Sequence, residues 1–371
     1  MILKSNFLKV FQLFIFMIIH FSCTPNQVKE TKVHYPNNIK TKVHSTAIEN
    51  IILLKFTSGI RTILHDSKGN YWFGSHQEGL CLFDGVSYKY FTMDDGLYDN
   101  QVRSIQEHQN GSIWFGTAEG VNSYDNGVIK KHEISKDVFT FTQPPLKSNS
   151  TLAKDDLWFN AGNNSGVYRY DGHQVSYVGF KEKENDQYFN QYGNTGVSRS
   201  NNGVVWLATY AAVFGYSLNA IETIDDQSLG FQLDSEKLHV RSILADSKGN
   251  LWIGNNGIGV LLKKDKSIIN FSKQKGLVHF LSTGGGERSP EGTLEHVFVI
   301  DEDHHGNIWF GDRDTGAWKY DGKTMTNYTV DPALSSPMIW DIYEDKDQNL
   351  LFAMADGGVY QFNGNSFDRK F

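Results

Sequence analysis

Short apolar segments alternate with polar turns along most of the chain. In residues 102–127 the β-rich run VRSIQEH precedes the turn QNGS, the apolar run IWFGT, a glycine-containing loop and the run VNSYDNG. Glycine and asparagine tolerate the positive φ angles of tight hairpins, so Asp125-Asn126-Gly127 is predicted to be a hairpin turn. With a more variable outer strand, each such unit is predicted to contain four strands, a to d, in chain order from an axis outward.

The same unit recurs along the chain. DSKGNYWFG at 66–74 returns almost unchanged as DSKGNLWIG at 246–254. The large apolar residue three places after each turn position recurs every 42 to 57 residues, at Trp72, Trp114, Trp158, Trp206, Trp252, Trp309 and Leu351. A period of this length with several short strands is typical of propeller blades. The prediction is an all-β fold, a seven-bladed β-propeller of four-stranded blades over residues 50–371.

The tryptophans and aspartates of the repeat have a structural interpretation. Blades are covered on both faces by their neighbours, so each tryptophan is expected to fill the wedge between two blades rather than to stack on a ligand. No loop carries the ladder of carboxylates that calcium requires, and no metal site is predicted. The aspartates before the turns are instead expected to cap their own turns; they are Asp66, Asp246, Asp301 with Asp303, and Asp345 with Asp347.

Two segments are candidates for the outer strand that closes the ring. NSFDRKF at 365–371 aligns with the d strand VSYKYF of blade one and would complete blade seven. IILLKFTSG at 51–59 also resembles a d strand that leads into blade one. The sequence leaves both alternatives open.

The first 22 residues are predicted to be an export signal. Lys4 and Lys9 accompany an apolar run over 10–19 that is too short for a bilayer span. With a small residue before Cys23, the segment resembles a bacterial lipoprotein signal, which implies lipidation of Cys23. Ordinary signal cleavage and an uncleaved anchor remain alternatives. Thr24 after the cysteine favours the outer membrane, and polar residues 23–49 are predicted to be a flexible tether.

The net charge, the absence of several motifs and the cysteine count exclude several classes of protein and of site. The net charge is −7, which is unlike the basic footprint of a nucleic-acid-binding protein. The sequence contains no GxxxxGK[ST], HExxH or CxxC motif, so no cofactor is predicted. With Cys23 lipidated, only Cys81 remains, which excludes an intramolecular disulfide, and its apolar surroundings predict a buried side chain.

The repeat resembles that of the two component regulator propeller family. Its best copies are VRSIQEHQNGSIWFGTAEGVNSYDNG (102–127), VRSILADSKGNLWIGNNGIGVLL (240–262) and VFVIDEDHHGNIWFGDRDTGAWKYDG (297–322). The resemblance covers residues 50–371, although blades three and four depart from it with LWFNAGNNSG and VWLATYAAVFG. Such propellers form the periplasmic sensing half of hybrid receptors, many of which answer to polysaccharide fragments. The resemblance implies sensing without kinase activity in this chain, through a partner.

A ring of residues is predicted at the mouth of the central channel. The positions eight residues before each turn are Arg61, Arg103, Lys147, Thr195, Arg241, Phe298 and Trp340. Four of these seven side chains are cationic, which favours an anion site for a sugar carboxylate or sulfate. Alternatively, the arginines bond to backbone groups or to carboxylates such as Glu107 and Glu344.

Further candidates lie in the loops. The insertion at 280–296, with Glu287, Arg288 and His296, is interpreted as a lid or as a variable surface loop. Aromatic side chains near the mouth are Tyr98, Tyr188, Tyr192 and Tyr210, and the b-to-c loops add His76, Gln77, Glu78, Glu119, Asn255, Asn256, Arg313, Asp314 and Asp356. The set selected as ligand-binding is Arg61, Arg103, Lys147, Arg241, Trp340, His76, Tyr210, Asn255, Arg313 and His296.

The favoured function is an exported, lipid-anchored recognition module on the periplasmic or cell-surface side of the outer membrane. Its partner would be an oligosaccharide, an anionic small ligand or an envelope protein. One alternative is a propeller lyase or glycosidase, with His296 or His76 and Arg241 as candidates, although no catalytic residue can be assigned. Another is a protein-docking scaffold, which an exposed apolar patch would favour.

Overall fold

The computed structural model describes residues 53–140, 152–162, 164–180, 195–217, 220–230, 237–279 and 288–371. The predicted signal peptide, Cys23, the tether and Lys147 lie outside these ranges, as do Tyr188, Tyr192 and Glu287. Across the described ranges, no helix has the length and apolar character of a membrane span.

Seven four-stranded sheets form the blades of a ring, which confirms the predicted fold class. The strands of the first three blades are β1 Ile60–His65, β2 Tyr71–Ser75, β3 Leu80–Phe83 and β4 Tyr88–Phe91; β5 Val102–Glu107, β6 Ile113–Thr117, β7 Val121–Asp125 and β8 Val128–Lys131; and β9 Ile134–Thr140, β10 Leu157–Asn160, β11 Gly166–Tyr170 and β12 Val175–Gly179.

The remaining four blades follow in chain order. Their strands are β13 Gly196–Arg199, β14 Val205–Ala208, β15 Ala212–Tyr216 and β16 Ile221–Asp225; β17 Val240–Ala245, β18 Leu251–Asn255, β19 Val260–Lys264 and β20 Ser267–Asn270; β21 Val297–Glu302, β22 Ile308–Asp312, β23 Gly316–Tyr320 and β24 Met325–Tyr328; and β25 Ile339–Glu344, β26 Leu350–Met354, β27 Val359–Phe362 and β28 Phe367–Arg369. A 3₁₀ turn, Met93–Asp95, and two single-turn helices, α1 Asp226–Leu229 and α2 Phe271–Gln274, connect blades.

The repeat tryptophans fill the wedges between blades. The ring of Trp72 packs against Phe115 of the next blade, with 5.7 Å between the ring centroids. Trp309 packs against Phe352 in the same way, at 5.4 Å. Both tryptophans are buried, so aromatic residues of strand b join blade one to blade two and blade six to blade seven.

The turn aspartates form hydrogen bonds both to the hairpin turn and to the tryptophan that fills this wedge. Oδ1 of Asp66 accepts the backbone N–H groups of Lys68 and Asn70, and its Oδ2 accepts the indole N–H of Trp72. Burial alone would raise the pKa of Asp66, but the hydrogen bonds from Trp72 and Asn70 outweigh it and hold the pKa below its ordinary value. Asp246, Asp303 and Asp345 cap their turns likewise. Asp301 does not, because it lies within β21.

The C-terminal segment supplies the outer strand of blade seven. β28 pairs antiparallel with β27, and the following Phe371 is buried against Phe73 and Tyr71 of blade one. Residues 53–59 form no strand; instead Leu54 and Phe56 pack into the same cluster. The ring is therefore closed by apolar packing between blades one and seven.

Blade three breaks the expected strand order. β9 pairs in parallel with β12 on the outer edge, so the order from the axis outward is β10, β11, β12, β9. Ile134 of β9 pairs with Val175 and packs into the cluster that contains Trp114, which gives this parallel pairing its apolar support. The prediction that strands follow one another outward is therefore wrong for this blade. Strand β10 consequently lines the central channel.

Candidate functional site

A cavity of about 880 Å³ occupies the axis of the ring. Its volume lies in the usual range for ligand pockets. Six of the seven positions predicted for the channel mouth line it, and the seventh, Lys147, lies outside the described residues; the six are Arg61, Arg103, Thr195, Arg241, Phe298 and Trp340.

A β-bulge places these side chains in the channel. The ladder between strands a and b shifts register around Arg61, and the same shift recurs around Arg103 and Arg241. It occurs again around Phe298 and Trp340. A bulge leaves one residue without a partner in the ladder and redirects its side chain. The repeat therefore presents a variable residue to the cavity at one fixed depth in five blades.

Each mouth arginine is held by neutral partners. Nε of Arg61 donates to Nδ1 of His76 at 2.9 Å, and the guanidinium lies 5.0 Å from the ring centroid of Trp340. Nη1 of Arg241 donates to the hydroxyl of Tyr210 at 2.6 Å, and its guanidinium lies 4.2 Å from the ring centroid of Phe298. These contacts orient the planar groups while leaving their charge uncompensated.

Arg103 is held by two amides. Its Nε donates to Oε1 of Gln101 and its Nη1 to Oδ1 of Asn160, both at 2.7 Å. Asn160 belongs to β10, so the unusual blade three contributes a wall to the mouth. Gln101 and Asn160 were not identified from the sequence, although Gln101 precedes the mouth position of blade two by two residues and Asn160 replaces the glycine that follows the repeat tryptophan in other blades.

None of the ion pairs in the described part of the chain involves Arg61, Arg103 or Arg241. Glu107 instead accepts the backbone N–H of Ser67 and pairs with Lys346. Glu344 pairs with His304. Both glutamates end their strands, whereas the arginines lie near the strand starts. The alternative that these glutamates neutralise the arginines is therefore wrong.

The mouth is electrostatically unfavourable as it stands. Burial, followed by the charges of Arg103 and Arg241, lowers the pKa of Arg61 to about 10. Burial also lowers the pKa of Arg103. The charges of Asp99 and Glu119, which lie beyond ion-pair distance, partly offset this by raising it. A bound anion would offset this mutual repulsion.

Two histidines adjoin the arginines. Burial, then the charges of Arg61 and Arg103, lowers the pKa of His76, which suits its role as a hydrogen-bond acceptor. The ring of His239 packs on that of Tyr210 at 4.6 Å, and burial followed by Arg241 lowers the pKa of His239 to about 4. His239 was missed from the sequence, although it precedes the mouth position of blade five by two residues.

Four predicted site residues are not part of the cavity lining, and of these only His76 bonds to a mouth arginine. The amide of Asn255 is buried and donates to the carbonyls of Ile253 and Gly259. His296 is buried in a loop beside Asp314, which also forms an ion pair with Arg313. The structure does not bring Asn255, His296 or Arg313 to the channel mouth.

A second layer of side chains lies below the arginines. Thr62, Ser104, Ser242 and Asp341 each follow a mouth position and line the same cavity. Oδ2 of Asp341 accepts the backbone N–H of Ile63 at 2.8 Å. Burial and the charge of Asp301 raise the pKa of Asp341, whereas hydrogen bonds from the backbone lower it. The balance leaves this pKa well above its ordinary value. The cavity therefore changes from cationic at the mouth to polar below it, with a carboxyl group that burial keeps in its neutral form.

Within the described residues, one trio brings three metal-ligand atoms within 4.8 Å of one another. It consists of His65, Asp345 and Asp347 at the turn of blade seven. Asp345 already accepts hydrogen bonds from Tyr71 and Asn349, and His65 accepts one from the backbone of Lys346. Turn capping and inter-blade contacts explain this arrangement.

Two segments, residues 99–119 and 236–257, match the family model described as two component regulator propeller. They contain inner strands and turns of blades two and five, and they confirm the resemblance drawn from the repeat. No curated protein matches the chain.

Solved structures share the fold. The extracellular domain of a hybrid two component system from B. thetaiotaomicron has a TM-score of 0.56 at 20% identity, over 83% of this chain and 38% of that one. A second such domain from B. thetaiotaomicron has a TM-score of 0.59 at 19% identity, over 83% and 39%. This chain thus spans about two fifths of their length. Virginiamycin B lyase from Staphylococcus aureus has a TM-score of 0.59 at 14% identity, over 83% and 96%. At these identities the likeness concerns the fold alone.

Proposed function

We propose that this protein, with its two component regulator propeller repeats, is an exported sensor-type propeller that binds an anionic group of a glycan fragment. The observation that carries the proposal is the convergence of three guanidinium groups on one cavity, without a carboxylate ion pair among the described residues. The binding site is the channel mouth formed by Arg61, Arg103 and Arg241.

The geometry favours an oxyanion as the bound group. Arginine presents a planar fork of N–H donors that matches carboxylate and sulfate oxygens. Trp340 and Phe298 hold two of the guanidinium planes from one side, so less conformational entropy is lost when an anion binds. A neutral ligand would not relieve the repulsion among the three cations.

The proposal includes the location of the protein. The basic and apolar residues of 1–22 direct export, and Cys23 carries the lipid that anchors the propeller to the outer membrane. Residues 23–49 are the tether. An envelope protein partner relays the signal that a ligand has bound to the propeller. Radioactive palmitate incorporated into the wild-type protein but not into the Cys23→Ser variant is the expected result. Equal labelling of both would contradict lipidation at Cys23.

Calorimetric titration of the Cys23→Ser protein tests ligand binding. Uronic acid and sulfated oligosaccharides are expected to bind, and neutral oligosaccharides of the same length are not. Arg103→Gln and Arg241→Gln each remove charge-assisted hydrogen bonds worth about 1.5–3 kcal/mol, so affinity should fall roughly ten- to hundredfold. Arg313→Gln, outside the cavity, is the matched control. Equal binding of neutral oligosaccharides, or an equal loss with Arg313→Gln, would contradict the proposal.

A further inference from the structure

A fourth arginine lines the channel cavity, away from the three at the mouth. Arg199 is the last residue of β13 and lines the same cavity as Thr195, the mouth position of its blade. The two residues are four positions apart along the strand, which corresponds to roughly 13 Å. The cavity therefore carries guanidinium groups at two levels, one at the mouth and one near the far end of an inner strand.

Arg199 has no partner in the fold. Among the described residues it donates no hydrogen bond and forms no ion pair. Its Nη2 is sealed from solvent, whereas Nε and Nη1 remain accessible. Withdrawing a charged group from water without supplying partners costs free energy, and such groups are rare in folded proteins. The packing of β13 thus does not by itself explain this side chain.

The carboxylates that act on Arg199 are engaged elsewhere. Oδ2 of Asp156 accepts Nε of Arg169 at 2.8 Å and forms an ion pair with its Nη2. Oδ2 of Asp155 accepts the side-chain amide of Gln109. Burial lowers the pKa of Arg199, and the charges of Asp156 and Asp155 do not restore it to its ordinary value. Neither carboxylate reaches Arg199 at ion-pair distance.

An apolar side chain lies between the two cationic levels. Side chains alternate along a strand, so Val197 and Arg199 share one face of β13. Val197 lines the cavity and is 36% exposed, although valine is usually buried. Accessible apolar surface inside a cavity is typical of ligand pockets. This wall therefore offers apolar contact between two sets of guanidinium groups.

The arrangement suits a ligand with two separated anionic groups. An oxyanion at Arg199 would supply the charge-assisted hydrogen bonds that the fold withholds from it. A ligand with a single anionic group can satisfy only one of the two levels. A single sugar ring cannot span them, because they lie roughly 13 Å apart.

Resting on the proposed function, we infer that the ligand is an acidic oligosaccharide with at least two anionic groups, one held by the mouth arginines and the other by Arg199. The body of the oligosaccharide lies along Val197. Arg199 then selects ligands by their length and by their second charge.

Calorimetry on the full-length Cys23→Ser protein tests this selection with three probes. Trigalacturonate carries a carboxylate on each of three rings, aldotriouronate is a trisaccharide with one carboxylate, and galacturonate is a single ring. Trigalacturonate is expected to bind at least about tenfold more tightly than either, because a hydrogen bond to a charged group is worth that factor or more. Such a factor exceeds the statistical advantage of three equivalent carboxylates.

Arg199→Gln is the principal variant, and Arg313→Gln, outside the cavity, is its matched control. Because Arg199 has no partner to lose, the variant should keep the thermal midpoint of the parent protein. Its preference for trigalacturonate over aldotriouronate should disappear, with the affinity for galacturonate unchanged. Arg313→Gln should keep the preference.

A second variant tests the same path independently. Val197→Asp places a carboxylate at an accessible position of the wall between the two levels. It should weaken trigalacturonate binding more than galacturonate binding, even if Arg199→Gln does not fold.

The outcomes separate the two proposals. Equal affinities for trigalacturonate and aldotriouronate, both lost in Arg103→Gln, would overturn the inference and leave the anion site standing. A preference that persists in Arg199→Gln, or that Arg313→Gln removes equally, would also overturn it. If none of the three probes binds, both the anion site and its second level are contradicted.

Discussion

The indole N–H of Trp72 donates a 2.8 Å hydrogen bond to Oδ2 of Asp66, six residues earlier in the chain. Trp252 and Trp309 make the same bond to Asp246 and Asp303. The aspartate thereby connects a hairpin turn to the aromatic ring that fills the next wedge. This pairing explains why the two residues recur together in the repeat.

Trp72→Phe should destabilise the fold more than Trp158→Phe. Both rings are buried, but the indole N–H of Trp158 has no hydrogen-bond partner within the described residues. Removing the N–H of Trp72 deletes one hydrogen bond to the Asp66 carboxylate. A hydrogen bond to a charged group is worth about 1.5–3 kcal/mol. Urea unfolding of the two variants measures the difference, and equal losses would contradict this role for the aspartate.

Asp301 should contribute a loss of stability as the pH rises from about 4 to 7. Burial raises its pKa to about 7, well above the ordinary value of an aspartate. In that interval the unfolded carboxylate is ionised while the folded one retains its proton, so raising the pH favours unfolding. The penalty is absent below the unfolded pKa and complete above the folded one.

Asp301→Asn should remove this part of the pH dependence. Relative to wild type, the variant gains stability progressively from about pH 4 to pH 7 and the gain is then constant. Thermal unfolding at a series of pH values provides the measurement. A difference that does not vary with pH would show that Asp301 does not carry the effect.

Phe371→Ala should open the junction between the first and last blades. The ring is 4% exposed and lies 4.9 Å from the ring centroid of Phe73 and 5.7 Å from that of Phe83. Truncating a buried phenylalanine costs about 3–5 kcal/mol. Lys370→Ala, at the exposed neighbouring position, serves as the control in urea unfolding. Similar midpoints for the two variants would mean that the junction does not depend on Phe371.

Cys81 should be unreactive in the native protein. The side chain is fully buried, and burial raises the pKa of its thiol to about 12. Only the thiolate is an effective nucleophile. In the Cys23→Ser protein a disulfide reagent should therefore react in urea but not under native conditions. Rapid native labelling would contradict the packing of β3.

The mouth arginines could be recognised from the sequence, whereas the positions of other polar residues could not. Arg61, Arg103 and Arg241 occupy equivalent positions of a regular repeat, so spacing alone places them at one depth. Asn255, His296 and Arg313 are also polar, but contacts with Gly259 and Asp314 hold them away from the cavity lining, and the repeat pattern does not show those contacts.

The sequence by itself determined the number of blades, the wedge tryptophans and the ring of mouth residues, because each depends on local turn chemistry and a repeated apolar pattern. Tertiary structure alone decided the parallel pairing of β9 with β12, the closure by Phe371 and the position of Asp341 beneath the arginines. These last three arise from contacts between segments far apart in the chain. Their energies depend on which surfaces meet across the ring, and no local pattern records that.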